Sequence, residues 1–229
     1  MCNEFARRIS LEKLRAGWGA ADMTMLFPEG MPNMGALDSI RITDPAVIIR
    51  AASGDPAGAQ VLTRRWSWPA AGGKPVYNFR SDGREFENKA TSGRCLIPAD
   101  AFYEYTDDVP VAAEGAGGEE VTATPDLFGQ AASVPAPKRQ ARKTKAKWAF
   151  RMRGLEWFCI AGLWRTDPKV GEAWTMLTTE PGPDIAPYHD RQIVLLTPPD
   201  YGRWLTGAAA ATELCRPLPA GSLEVARLR

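Results

Sequence analysis

Apolar residues fall along the chain in short runs that are separated by glycine and proline. Most of these runs are rich in β-branched and aromatic side chains, which is typical of strands in compact β-sheets. The pattern predicts strands at Ala46–Arg50, Gln60–Trp66, Cys95–Ile97, Trp148–Met152, Trp157–Leu163, Trp174–Thr178 and Ile193–Leu196. Between the fourth and fifth of them, the segment Arg153–Glu156 contains a glycine and predicts a hairpin turn.

Two segments have the pattern of a short helix instead. Ser10 is a suitable N-cap for a helix that ends near Trp18, with Leu11 and Leu14 on one face. A second helix is predicted from Thr197, because two prolines follow it, through Trp204 to Gly207. Strands and helices do not alternate, so the pattern excludes a doubly wound parallel sheet. We expect a single domain over residues 1–229.

Residues 107–147 differ from the rest of the chain in composition. Alanine, glycine, proline and glutamate dominate the first part, and a basic run follows from Lys138 to Lys147. This composition predicts a flexible surface insertion without a packed core. The basic run is interpreted as a solvated tail, with loose contact to a DNA backbone as the alternative.

Composition limits the classes of function. The 229 residues are 45% hydrophobic, enough for a core, and the net charge of +1 excludes a protein that coats nucleic acid by bulk charge. Glu4, Arg7 and Arg8 stand where a secretory signal would be apolar, so we expect a soluble, cytoplasmic protein that contacts no membrane. Four scattered cysteines and one histidine favour reduced thiols, with no metal and no other cofactor.

Cys2 is the most unusual residue of the sequence by position. Met1 precedes a small side chain, so its removal would leave a first residue with a free α-amine and a thiol. Such an amine has a pKa of about 7.7–8.0 and is partly neutral at physiological pH. It can form a Schiff base with an aldehyde, and the thiol can then close a thiazolidine ring. The alternative is an early residue without a chemical task.

Three further segments contain candidate polar residues. His189, the single histidine, follows a proline-rich loop and has a pKa suited to acid–base work, with a purely structural role as the alternative. Glu104 lies among aromatic residues that would raise its pKa, or it is exposed at a strand end. In Asn78–Arg80 the amide and the guanidinium share one face of an extended segment, where they can contact a sugar and a phosphate or merely form a turn.

Five segments together resemble the SOS response-associated peptidase family. They occur in the family's order and cover most of the chain outside residues 107–147: Met1–Cys2, Tyr77–Arg80, Arg94–Glu104, Ala161–Trp164, and Leu177–Glu180 through Arg191. The resemblance implies an α+β domain of several coiled, mainly antiparallel β-sheets with a few short helices. It also implies a positively charged cleft that holds single-stranded DNA at an abasic site.

The resemblance also implies roles for individual residues. Cys2 would attack the abasic aldehyde and remain attached as a thiazolidine, with weak strand cleavage by β-elimination as a side reaction. Glu104 would transfer the proton of the Cys2 amine and assist reversal, His189 would help to open the sugar ring, and Asn78 would orient the deoxyribose. The DNA-binding residues would be Arg80, Arg7, Arg8, Trp66, Trp68, Tyr105 and Arg191. A monomer is expected.

The chain departs from the family pattern at its beginning. Glu4 stands where the family has a phosphate-binding arginine, and Arg7 or Arg8 is the expected substitute. Tyr105 replaces a tryptophan, and the Arg65–Pro69 stretch is shortened, with Trp66 and Trp68 predicted to stack on bases or to pack in the core. Two other functions use the same residues: a thiol peptidase or autopeptidase in which His189 activates Cys2, and a module that binds single strands without a covalent bond.

Overall fold

Short strands make up most of the chain in the computed structural model, which describes residues 2–107 and 145–229. The strands are β1 (Glu4–Arg7), β2 (Thr24–Leu26), β3 (Leu37–Arg41), β4 (Pro45–Ala52), β5 (Asp55–Trp66), β6 (Trp68–Pro69), β7 (Pro75–Val76), β8 (Asn78–Arg80), β9 (Ser92–Ala99), β10 (Ala101–Asp107), β11 (Lys145–Met152), β12 (Phe158–Asp167), β13 (Gly171–Thr179), β14 (Gln192–Ile193), β15 (Leu195–Leu196) and β16 (Leu223–Arg227). The α-helices are α1 (Leu11–Gly17), α2 (Pro198–Thr206) and α3 (Ala211–Leu214).

Two main sheets organise these strands. The five-stranded sheet has the order β16-β11-β10-β1-β3, and the nine-stranded sheet has the order β14-β13-β12-β9-β4-β5-β2, with β15 beside β12 and β8 beside β13. Most pairs are antiparallel, but β2 and β13 run parallel to β5, and β8 runs parallel to β13. The chain passes from β9 in the larger sheet to β10 in the smaller one at Asp100, whose carboxylate accepts hydrogen bonds from the backbone and side chain of Arg8.

Aromatic side chains fill the space between the two sheets. The rings of Phe102 and Phe150, from the five-stranded sheet, stack with centroids 5.1 Å apart. Trp66 and Trp174, from the nine-stranded sheet, stack at 5.3 Å, and Phe5 meets Trp66 edge-on at 5.5 Å. All five side chains are fully buried. The first strand of the chain is thereby fixed against the core of the molecule.

The two longer helices cover the opposite face of the nine-stranded sheet. Ser10 caps α1 by accepting a hydrogen bond from the Lys13 amide at 3.2 Å. Helix α2 ends at Gly207, whose φ of 76° is a conformation that glycine adopts without strain. None of the helices in the described residues has the length and apolar character needed to cross a membrane.

Six of the seven predicted strands and both predicted helices are present, and the predicted fold class is confirmed. The seventh, Ile193–Leu196, is divided into β14 and β15, which pair with β13 and β12 respectively. The prediction of a hairpin at Arg153–Glu156 is wrong, because β11 pairs with β10 and β16 whereas β12 belongs to the other sheet. The segment is instead a connection between sheets. Of the predicted insertion, residues 108–144 lie outside the described residues. Its ends were assigned too broadly, because Asp107 and Lys145 are paired strand residues.

Candidate active site around Cys2

Cys2 lies two residues before the first residue of β1 and is buried in the core between the two sheets, with 1% of its surface exposed. Its thiol donates a hydrogen bond to the Glu4 carbonyl oxygen over 3.2 Å. Burial raises the pKa of this thiol, and the nearby carboxylate of Glu104 raises it further. The Cys2 sulfur is therefore a neutral thiol at physiological pH. Met1 lies outside the described residues.

Asn78 holds the backbone of Cys2. Strand β8 lies parallel to β13, and the Asn78 side-chain amide donates to the Cys2 carbonyl oxygen over 2.8 Å. Its Oδ1 is buried, and no donor within the described residues reaches it. Phe79 points to the opposite face and packs against Phe86, with ring centroids 6.2 Å apart. The amide oxygen of Asn78 is thus an acceptor beside Cys2 that a bound hydroxyl or amine can use.

Glu104 reaches the same region from β10. It lies two residues from Phe102 and so shares its face of the strand, which is the face that packs between the sheets. Only 4% of Glu104 is exposed. Burial raises its pKa to about 7, and the negative charge of Asp190 contributes to the rise. A carboxyl group with this pKa can both donate and accept a proton at neutral pH.

His189 stands at the end of a helical turn. The amides of Tyr188 and His189 both donate to the Ile185 carbonyl oxygen, over 2.8 Å and 3.0 Å. The Tyr188 ring packs against Trp148 and Phe150, with centroid distances of 4.7 Å and 5.2 Å. The histidine therefore follows an aromatic anchor that is attached to the five-stranded sheet. This anchor was not recognised from the sequence.

The geometry of the His189 ring indicates its tautomer. Nδ1 accepts a hydrogen bond from the Arg191 amide over 2.9 Å, so the proton of the neutral ring lies on Nε2. Burial lowers the pKa of His189, although the Asp190 carboxylate, 2.7 Å from Nδ1, acts in the opposite direction. Asp190 is largely exposed and screened by solvent, so the lowering dominates. At neutral pH the ring is an uncharged donor through Nε2.

The loop that precedes His189 is held in place by hydrogen bonds of two of its residues, Asp184 and Gly182. The Asp184 carboxylate accepts hydrogen bonds from the amides of Gly221 and Leu223, each over 2.9 Å, and so joins the loop to β16. The Gly182 amide donates to Gln192 Oε1 over 2.9 Å. These contacts link distant parts of the chain. The only local signal for them in the sequence is the run of proline and glycine after Thr179.

Replacing Gly182 by alanine is expected to destabilise the loop before His189. A Cβ atom there would lie 2.5 Å from the Leu218 carbonyl oxygen, so backbone must move. We expect a loss of about 1–3 kcal/mol in the free energy of unfolding, measured by urea denaturation. Gly72→Ala is the matched control, because nothing lies within 4 Å of a Cβ at that position. Equal stability of the two variants would contradict the prediction.

Titration of Glu104 should make stability depend on pH. Its pKa rises from 4.5 to about 7 on folding, so the folded protein keeps a proton that the unfolded chain has released in this range. The free energy of unfolding should therefore fall as the pH rises from about 4.5 through about 7. Glu104→Gln removes this contribution. Urea denaturation at pH 5 and pH 8 should show the smaller decline in the variant, and the same decline in both proteins would refute the assignment.

Three of the residues expected to bind DNA are buried. Trp66 is fully buried in the Trp174 stack, and its indole N–H donates to the Tyr77 carbonyl oxygen over 2.9 Å. Trp68 is 6% exposed and carries the Arg165 guanidinium 4.5 Å above its ring. Arg7 is 3% exposed and donates to the Gly35 carbonyl oxygen over 3.0 Å. Neither tryptophan presents an open ring face, and Arg7 is no substitute for a phosphate-binding arginine.

The remaining expected DNA contacts differ in their availability. Arg8 forms ion pairs with Asp38 and Asp100, and Arg191 forms a two-pronged ion pair with Asp82 at 2.9 and 3.0 Å. Both guanidinium groups are thus held by carboxylates of the protein. Arg80, by contrast, is exposed at the end of β8, two residues from Asn78.

Tyr105 lines an open cleft of about 590 Å³ at the beginning of β1. The other lining residues combine three cations with neutral and acidic groups: Asn3, Glu4, Arg41, Ile42, Lys145 and Arg229. Asn3 follows Cys2 in the chain, but Cys2 is not among the lining residues. The cleft opens on the face of the five-stranded sheet that carries Tyr105, whereas Cys2 is buried in the core on the other face. The three cations give the cleft a local positive patch, although the net charge of the chain is only +1.

Comparison with known proteins finds similar sequences and similar folds. The family model of the SOS response associated peptidase (SRAP) matches residues 137–229. The abasic site processing protein YoqW of Bacillus subtilis is 28% identical over 130 residues, which are 55% of this chain and 43% of that protein. The family model covers less than half of the 229 residues, so it is the C-terminal part of the chain that is similar to the SRAP family. YoqW of Bacillus phage SPbeta matches this chain with the same identity and coverage.

Solved structures share the fold of this chain along its whole length. A protein from Bordetella bronchiseptica matches with a TM-score of 0.63 and 22% identity, over 100% of both chains. A protein from Bacteroides thetaiotaomicron matches with a TM-score of 0.63 and 14% identity, over 100% of this chain and 92% of the other. At these identities the similarity establishes the architecture alone. The aligned region of the curated relatives covers less than half of their length.

Proposed function

We propose that this protein captures abasic sites in single-stranded DNA by forming a covalent bond through Cys2 after removal of Met1. The observation that carries the proposal is the meeting of Cys2, Asn78 and Glu104 at one point of the fold. The relatives named abasic site processing proteins support the choice of substrate. An abasic sugar in its ring-opened form presents the aldehyde that an α-amine can attack.

The reaction proceeds in two bond-forming steps. The neutral Cys2 amine adds to the aldehyde carbon, and loss of one water from the carbinolamine leaves a C=N bond. The Cys2 thiol then turns from the Glu4 carbonyl oxygen and adds to the same carbon. Its sulfur forms the C–S bond, and its proton passes to the nitrogen. The product is a five-membered thiazolidine, and water is the only molecule released.

Each neighbouring residue has a task in this sequence. Glu104 takes the proton of the attacking amine and returns one to the departing hydroxyl, for which a pKa of about 7 is suited. The neutral His189 ring donates through Nε2 to the sugar oxygen as the ring opens. Asn78 Oδ1, a buried acceptor without a donor in the described part of the chain, accepts a sugar hydroxyl.

The DNA strand is held by more accessible groups outside the buried site. Arg80 contacts a phosphate beside the nucleotide bound at Asn78, and Tyr105 offers an aromatic wall in the cleft that begins at Asn3. Single strands are the preferred form, since an aldehyde within a duplex cannot reach a buried first residue. The imine intermediate also permits β-elimination of the 3′ phosphate, which gives a weak lyase activity.

A thiol peptidase is supported less well by the same geometry. Such an enzyme needs a thiolate, but burial raises the pKa of the Cys2 thiol. His189 Nδ1 is occupied by the Arg191 amide, and Asp190 is the charged group beside it. Attack by the amine, followed by addition of a neutral thiol, needs neither a thiolate nor a base at His189 Nδ1.

The proposal is tested by incubating the Met1-processed protein with single-stranded DNA that contains one abasic site. We expect a DNA–protein adduct that survives heat and detergent, and peptide mass analysis should place the modification on Cys2. DNA of the same sequence without the abasic site is the control. Absence of an adduct, or an adduct located on a lysine, would refute the proposal.

A further inference from the structure

Residues near a chain terminus are poorly ordered unless specific contacts hold them. In this protein such contacts involve Glu4, which is only 3% exposed although it is an acidic residue. Its carboxylate accepts hydrogen bonds from the Ser39 hydroxyl at 2.6 Å, the Lys147 ammonium at 2.9 Å and the Tyr105 hydroxyl. We call Glu4, Ser39, Tyr105 and Lys147 the Glu4 clamp. It connects β1 with β3, β10 and β11.

The clamp holds Glu4 in its charged form. Burial favours the protonated acid, but the hydrogen bonds from Ser39, Tyr105 and Lys147 outweigh it and hold the pKa of Glu4 below its usual value. The Lys147 ammonium also lies 3.9 Å from the centre of the Tyr103 ring, which fixes it from the other side. A buried charge with three donors is costly to displace, because any lost donor leaves it unsatisfied.

The clamp and the candidate active site lie on opposite faces of the five-stranded sheet. Tyr103 and Tyr105 belong to a cluster with Ala6 on one face, whereas Phe102 and Cys2 belong to the core between the sheets. Glu4 is nevertheless connected directly to the nucleophile, since its carbonyl oxygen accepts the Cys2 thiol hydrogen bond. The Glu4 side chain touches no reacting atom, whereas the Glu4 backbone carbonyl holds the thiol of Cys2.

We propose that Glu4 is a positioning residue, which fixes the beginning of β1 through the clamp and thereby keeps Cys2 in front of Asn78 and Glu104. The expected effect of Glu4 on adduct formation rests on the proposed function, whereas its effect on the position of Cys2 does not. The positioning role belongs to the residue at which the sequence departs from the family pattern. In this chain the position anchors the strand that carries the nucleophile instead of contacting DNA.

Glu4→Gln tests the role, because it keeps the shape and removes the charge. Alkylation by iodoacetamide, followed by peptide mass analysis, reports how accessible the thiol of each cysteine is to the reagent. We expect the rate of Cys2 labelling to rise about tenfold, which corresponds to the loss of one hydrogen bond to a charged group. The labelling of Cys95 and Cys159, which are fully buried, should not change. The rate constant of adduct formation should fall by a similar factor at an unchanged half-saturating DNA concentration. Glu12→Gln, an exposed glutamate of α1, is the control.

A charge reversal provides the rescue. Glu4→Lys and Lys147→Glu should each impair adduct formation more than Glu4→Gln, and the double variant should recover most of the loss because the ion pair is restored. Cys2 labelling equal to that of Glu12→Gln would overturn the proposal. A parallel rise at Cys95 and Cys159 would do the same, since it would indicate general destabilisation. If the wild type forms no adduct, the proposed function fails, but the labelling experiment still decides whether Glu4 holds Cys2.

Discussion

Replacing Cys2 by alanine is expected to reduce the heat-stable adduct with abasic DNA to the level seen without protein. The variant keeps an α-amine, so an imine can still form, but it lacks the sulfur that closes the ring. The imine hydrolyses on heating unless borohydride reduces it first. Denaturing gel electrophoresis with and without borohydride therefore separates the two stages, and only the reduced sample should show a band.

The fold should survive this substitution, because Asn78 binds the backbone carbonyl of Cys2 and not its side chain. Circular dichroism and thermal unfolding check that point. Cys215→Ala is the matched control, since it removes a half-buried thiol in the segment after α3 and should leave adduct formation unchanged. A Cys2→Ala variant that forms the heat-stable adduct as well as the wild type would exclude the thiazolidine.

Replacing Glu104 by glutamine is expected to slow adduct formation by about 10²–10⁴-fold, the usual contribution of a positioned acid–base group. Glutamine fills the same volume and can neither take the proton of the amine nor return one to the departing hydroxyl. The rate constant is measured from single-turnover time courses at saturating DNA. Glu156→Gln, at the surface before β12, should behave as the wild type.

The dependence of this rate on pH gives the sharper test. Loss of the hydroxyl as water needs the protonated carboxyl, so the wild-type rate should fall as the pH rises above about 7, the pKa of Glu104. On the acidic side the rate should fall as the Cys2 amine gains its proton. Glu104→Gln should lose the alkaline decline and keep the acidic one. If Glu104→Gln kept the alkaline decline of the rate unchanged, the decline would belong to a titrating group other than Glu104.

The longer central strands could be predicted from the sequence because local composition marks them. Half of the sixteen strands in the described residues were not among the predictions: β1, β2, β3, β6, β7, β8, β10 and β16. The strand partners could not be predicted, because pairing depends on contacts between distant residues. The glycine turn after Met152 has the local form of a hairpin, yet β11 and β12 enter different sheets. The strand β1 was missed as well, since Glu4–Arg7 contains two charged residues that become buried only through Ser39, Lys147 and the Gly35 carbonyl.

The same limit applies to the candidate site. The polar residues of the resemblance, Cys2, Asn78 and Glu104, do lie together. Which cations are accessible could not be predicted, because their burial depends on residues distant in the chain. Arg7 and Arg80 look equivalent in the sequence, and burial separates them completely. The supporting contacts of His189, above all Asp184 with β16, join residues too far apart in the chain for a local pattern to predict.

The pairing of Asp107 with Lys145 has a consequence for how this chain tolerates change. These two residues face each other across one step of the β10–β11 ladder, so the two points at which residues 108–144 join the described chain are neighbours in space. The entropy of bringing the ends of a chain segment together grows only slowly with the length of the segment. Evolution is therefore free to lengthen, shorten or exchange that stretch while the register that carries Glu104 stays intact.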